Sequence, residues 1–224
     1  MTLLRPFALM LALLGAPAAA QTTLTVTGAG TVAAAPDMAT LRVSVAREAA
    51  TAQAALAAMS GAAETVADRL RAAGVEGRDL QTGRLSLGPR WDRGDEARIA
   101  GYVAETVLTV RVRDLDGLGA LIDAAVGDGA NGLSGPEFGL SAPRAAEDEA
   151  RRAAFADAMA KARLYAGAAG LEVGPVVSIT EGPVDAAPGP VMMEARMAGV
   201  PVERGEVETR VSVQVVVELN GSDG

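Results

Sequence analysis

The sequence predicts an α+β fold, with antiparallel or mixed sheets, some strands joined as hairpins, two long helices and one short one. Two observations carry this. Segments whose apolar residues recur at every second position alternate with segments where they recur every three or four, giving the order β-β-α-β-β-α-β-α-β-β. Several of the strand-like segments also follow one another directly, which argues against a doubly wound parallel sheet.

Leu24 and Val26 alternate with threonines in a first strand that is expected to end at Gly28-Ala29-Gly30. Pro36-Asp37 makes the turn. Ala39, Leu41, Val43 and Val45 then alternate with Thr40, Arg42 and Ser44, so a second strand with one buried face is expected to pair with the first as a hairpin. Leu56, Met59, Ala63, Val66, Leu70 and Ala73 step by three and four, which predicts a helix from about Thr51 to Ala73, stopped by Gly74. Leu80, Leu85 and Leu87 begin a third strand. The polar segment 88–100, with the single tryptophan Trp91, leads into a fourth whose inner face carries Tyr102, Ala104, Leu108, Val110 and Val112.

Asp114 reads as the N-cap of a short helix with Leu115, Leu118, Ile122 and Ala125 on one side, ended by Gly127, Gly129 and Gly132. Phe138 and Leu140 close a short strand, and Pro136, which has no N–H to give a ladder, confines it to an edge or bulge. A long helix follows from Pro143-Arg144 to about Ala169. Ala150, Ala154, Ala158, Ala162 and Ala166 lie four apart along it, so one stripe has little bulk and lets another backbone come close, with Phe155, Met159 and Tyr165 beside it. Val177 and Ile179 lie in the next strand. Val207, Val211, Val213, Val215, Val217 and Leu219 alternate with polar residues in the last. A β-α-β-β unit thus occurs twice, around the helix after Thr51 and around the helix after Pro143, which suggests duplication. The 181–205 segment, rich in Pro, Gly, Ala and Met, is long for a connection in a compact domain, and such connections are usually functional or disordered.

The N-terminus has a basic Arg5, an apolar run from Pro6 to Leu14 and the small residues Ala18, Ala19 and Ala20, the pattern of a secretory signal peptide cut after Ala20. The expected layout is therefore a signal peptide at 1–20, a domain at 21–220 holding one core or two small lobes, and a disordered tail at 221–224. Removing 1–20 takes away one base, Arg5, and no acid, leaving 19 basic against 28 acidic side chains, a net charge of -9. Nucleic acid is not an expected partner for such a surface. The chain has no histidine and no cysteine. A Ser-His-Asp triad, a thiolate nucleophile and a histidine zinc site are excluded with them.

Gly28-Ala29-Gly30-Thr31-Val32-Ala33 fits G-x-G-x-x-A, but the helix that would receive a pyrophosphate is missing, since Pro36 and a strand follow. Lys161, the single lysine, lies four residues after Asp157 and reads as half of an exposed ion pair. Asp114, Asp116, Asp123, Asp128 and Asn131 lack the ligand order of a calcium loop. Glu147, Asp148 and Glu149 suit the positive end of the long helix. No catalytic residue and no cofactor is expected.

Taken in order, VTGAGTVAAAPDMATLRVSV, GYVAETVLTVRV, DGANGLSGPEFGLS, the A-x-x-x-A helix through Ala154, Ala158, Lys161 and Ala162, and the terminal VETRVSVQVVVEL resemble the SIMPL-domain family of secreted bacterial proteins. The Gly135-Pro136 pair is a small departure. The resemblance implies a periplasmic or outer-membrane-associated protein, an α+β fold, self-assembly into rings or larger oligomers and a role in envelope or oxidative stress. It implies no catalytic residues.

Three functional readings follow. The first is a non-catalytic, self-assembling protein with interface candidates Trp91, Val191, Met192, Met193, Met197 and Val200. In the second, the thioethers of Met192, Met193 and Met197 bind Cu(I) or consume oxidants in the periplasm. The third, a carboxylate-based hydrolase of envelope glycans, requires a cleft with two converging acids.

Overall fold

A computed structural model describes residues 22–92, 98–127, 129–188 and 203–221. They form β1 (Thr23–Ala34), β2 (Met38–Ala49), α1 (Ala52–Ala72), β3 (Leu80–Asp92), β4 (Arg98–Val112), α2 (Leu118–Gly127), β5 (Gly132–Gly139), α3 (Arg144–Ala168), β6 (Leu171–Pro188) and β7 (Val207–Gly221). This is the order that the periodicities predict. Every pairing between these strands is antiparallel.

The strands divide between two sheets, one in the order β1-β7-β6 and the other β3-β4-β2-β5. β1 and β2 therefore do not form the expected hairpin. Ala34 faces Val207 on β7, whereas β2 lies between β4 and β5. The chain passes from one sheet to the other through Ala35-Pro36-Asp37, where the Asp37 N–H donates to the Gly139 carbonyl at 3.2 Å instead of turning back on β1. It returns through 140–143. Residues 38–139 are thus an insertion in a sheet built from 23–34 and 144–221. The strand before α3 in sequence, β5, sits in the inserted sheet, so the unit around α3 is completed by β1. Each helix-bearing unit then has the same strand order, β2-β4-β3 around α1 and β1-β7-β6 around α3.

Packing explains three further departures. β1 does not end at its glycines but runs through them, because α3 lies directly on the strand there. A Cβ on Gly28 would sit 2.0 Å from the Ala154 carbonyl oxygen, and one on Gly30 2.1 Å from that of Ala150. The alanine stripe and the two glycines are one seam. α2 begins later than its apolar pattern suggests, since Asp114 Oδ1 accepts from the N–H groups of Asp116 at 3.1 Å and Gly117 at 3.3 Å and forms a turn ahead of the helix. The 181–205 segment is partly strand, because β6 continues to Pro188, with breaks of register around Pro175 and around Gly182-Pro183 that accommodate residues without a ladder N–H. In the same way β3 and β4 extend into the 88–100 segment.

The cores follow the sheets. Leu41, Val43, Val45, Leu108 and Val110 pack with Val66 and Leu70 of α1 and with Leu118 and Ile122 of α2. Val26, Val211, Val213, Val215 and Val217 pack against the buried alanines of α3. Among the described residues no apolar cluster draws on both sheets.

Candidate functional site

Val191, Met192, Met193, Met197 and Val200 lie outside the described residues, as do 1–21 and 222–224. Trp91 is described. It sits in β3, 55% exposed, opposite Ile99 of β4, which is 48% exposed. The register adds two residues to this pair. Leu87, 44% exposed, faces Ala104, and Leu85, 59% exposed, faces Thr106. Residues directly opposite on paired strands share a face, and both Ala104 and Thr106 are buried. Ala104 packs with Ala55 and Met59 of α1. Leu85 and Leu87 therefore continue the core face sideways, past the cover of the helix.

β3 is also the last strand of its sheet, with one row of N–H and C=O groups facing outward. The other edges are treated differently. At β1, Asp157 Oδ2 accepts the Ala29 N–H at 2.9 Å, Lys161 Nζ donates to the Thr27 carbonyl at 3.0 Å, and the two side chains pair at 2.7 Å. The pair predicted to be merely exposed thus covers the backbone of an edge strand. Its contacts with Lys161 and the Ala29 amide hold the Asp157 carboxyl below the ordinary aspartate value. β5 is short and slips register opposite Thr40 and Arg42. β6 contains Pro175, Pro183 and Pro188 and breaks register three times.

A cleft of about 170 Å³ opens where the end of α1, the end of β4 and the turn before α2 meet. Asp79 forms part of its wall. It is buried, and Arg113 donates to both of its oxygens, Nε at 2.7 Å and Nη2 at 2.9 Å. This fork lowers the Asp79 pKa, burial opposing it. A carboxylate committed in this way binds an arginine rather than a proton or a metal. Among the described residues no three acidic side chains gather closely enough to hold a metal ion.

Sequence reasoning missed Asp79 and the exposure of Leu85 and Leu87. Leucines two apart in a strand look the same whether a helix covers them or stops short. The glycine at position 83, beside a register break, was the available signal of an irregular edge.

The sequence pattern of the SIMPL family, described as "Protein of unknown function (DUF541)", matches residues 24–217. The chain belongs to the SIMPL family. It is 40% identical over 212 residues to a 26 kDa periplasmic immunogenic protein of Brucella melitensis, covering 88% of this chain and 84% of that protein. It is 30% identical over 194 residues to the uncharacterized protein YggE of Escherichia coli strain K12, covering 84% of this chain and 76% of that one. The SIMPL match spans both sheets, from the second residue of β1 into β7. The inserted sheet and the sheet around it therefore belong to one family unit in sequence.

Proposed function

We propose that this SIMPL-family chain is a non-catalytic protein of the periplasm that works as an assembly of its own copies, in the envelope or oxidative stress role that the family resemblance implies. The observation that carries it is the apolar row Leu85, Leu87 and Trp91 on an uncovered edge strand, with Ile99 of the neighbouring β4 beside it. Exposed apolar side chains beside unpaired backbone groups are what native folds avoid unless a partner takes them. The periplasmic assignment draws on the signal-peptide pattern of 1–20 and on the name of the Brucella relative.

Light scattering of the secreted chain, residues 21–224, tests the reading. A mass of several copies at micromolar concentration is expected, falling on dilution. A strictly monomeric mass over the whole range would remove assembly as its mode of action.

A further inference from the structure

We infer that the partner of β3 is β3 of a second copy, paired antiparallel about a two-fold axis at Ser86. This rests on the self-assembly reading and adds to it the contact surface and its symmetry. The choice of edge comes from the four edge strands. Asp157 and Lys161 occupy the outward backbone of β1. β5 and β6 are interrupted by prolines and register breaks. On β3 the run from Leu85 to Gly88 keeps an unbroken register with β4 and holds no proline, so its outer side is a short regular template between the bulge at Gly83 and Pro89.

The choice of register comes from side chains. A two-fold axis perpendicular to a sheet keeps each residue on its own face, so a residue at the axis meets itself and its neighbours meet residues of matching parity. An axis at Arg84 would set arginine on arginine. At Leu85 it would run Leu87 into the bulge at Gly83. At Leu87 it would bring Arg84 against Arg90, and at Gly88 it would place Pro89, without an N–H, in the ladder. At Ser86, Leu85 meets Leu87 of the second copy and Leu87 meets Leu85. Arg84 then lies against Gly88, no charge faces its like, and Pro89 falls opposite the bulge at Gly83, where both mark the end of the paired run. The two apolar rows merge into one surface, and the two four-stranded sheets become a single sheet of eight.

Cysteine scanning tests this directly, because the chain has no cysteine of its own. Ser86→Cys is expected to give a covalent dimer under mild oxidation. Ala57→Cys, on the exposed side of α1, serves as the control. Leu87→Glu enters the contact twice and is expected to raise the dissociation constant roughly tenfold or more. Its far-ultraviolet circular dichroism and melting temperature should match the parent, because Leu87 is not part of the buried core. If the parent chain is monomeric throughout, the self-assembly reading itself falls. If the parent assembles, but Ser86→Cys cross-links no better than Ala57→Cys and Leu87→Glu leaves the mass unchanged, assembly uses another face and this inference is overturned.

Discussion

The carboxylate of Asp37 accepts two hydrogen bonds from Ser141, one from its backbone N–H and one from its hydroxyl, both at 2.6 Å. Asp37 lies on the outward crossing between the sheets and Ser141 on the return. The two covalent passages between the halves among the described residues are therefore fastened to each other, with the Asp37 N–H to Gly139 as a third tie. Arg204 and Asp116 add an ion pair between the turns that precede β7 and α2. No shared apolar cluster assists them among the described residues, so polar contacts set how the halves sit.

Stability should fall on acidification, with Asp37 and Asp79 as contributors. Hydrogen bonds from Ser141 lower the Asp37 pKa, and the Arg113 fork lowers that of Asp79. Both carboxylates release their protons more readily in the folded chain than in the unfolded one, where aspartate titrates near ~3.9. Their contribution is therefore complete above that value and is lost as pH falls through the lower folded values. Urea midpoints measured from pH 7 downward should drop below about pH 4. The double variant Asp37→Asn, Asp79→Asn should start less stable and lose less over the same range.

Removing Arg113 should be worse than removing both members of its pair. Arg113→Ala leaves a buried carboxylate without its main partner and is expected to lower the urea midpoint, by less than for a fully buried pair because the arginine is half exposed. Adding Asp79→Asn should restore part of the loss. Equal midpoints for the single and double variants would show that the carboxylate carries no such penalty.

Two glycine-to-alanine changes should act in opposite directions. Gly28→Ala forces a Cβ into the α3 backbone and is expected to cost about 2–3 kcal/mol or more, since neither element can yield cheaply. Gly61→Ala lies within α1 with no atom within 4 Å of the new methyl group, and should gain about 0.5–1 kcal/mol. Thermal melts of the two variants beside the parent would decide it.

Taking away the cover of β1 should change how the chain associates, beyond its effect on stability. Asp157→Ala with Lys161→Ala frees the Ala29 amide and the Thr27 carbonyl on an edge strand. Larger and less uniform species are expected in light scattering, growing with time at concentrations where the parent is stable. An unchanged size distribution would mean that these side chains do not guard the edge.

The sequence made local structure readable and left the pairing of strands largely hidden, for physical reasons. The threes and fours of Met59, Val66 and Leu70 and the alternation from Val207 to Val217 report burial within one element, and there the expectations held. Strand partners depend on contacts distant along the chain. Nothing near Pro36 says that β1 pairs with β7 rather than β2. The alanine stripe of α3 announces a close approach, but its target, Gly28 and Gly30, looks in the sequence like the end of a strand. Of the candidate surface, Trp91 was legible as an unusual residue on a polar segment. Its companions Leu85 and Leu87 were not, because exposure depends on how far α1 reaches across the sheet.

The insertion of one sheet within the other fixes the order in which the two sheets become complete as the chain emerges. The inner sheet has all its strands once Gly139 has emerged, so that half can close before the rest of the chain has emerged. β1, made first, pairs with the strand made last, Thr23 opposite Glu218 and Ala34 opposite Val207. Until then its face with Val26 has no sheet to join. β7 also stands between β1 and β6, so a chain that stops short of its final 15-residue strand does not simply lose an edge. It loses the middle of the outer sheet, and β1 and β6 are left beside α3 without a ladder partner.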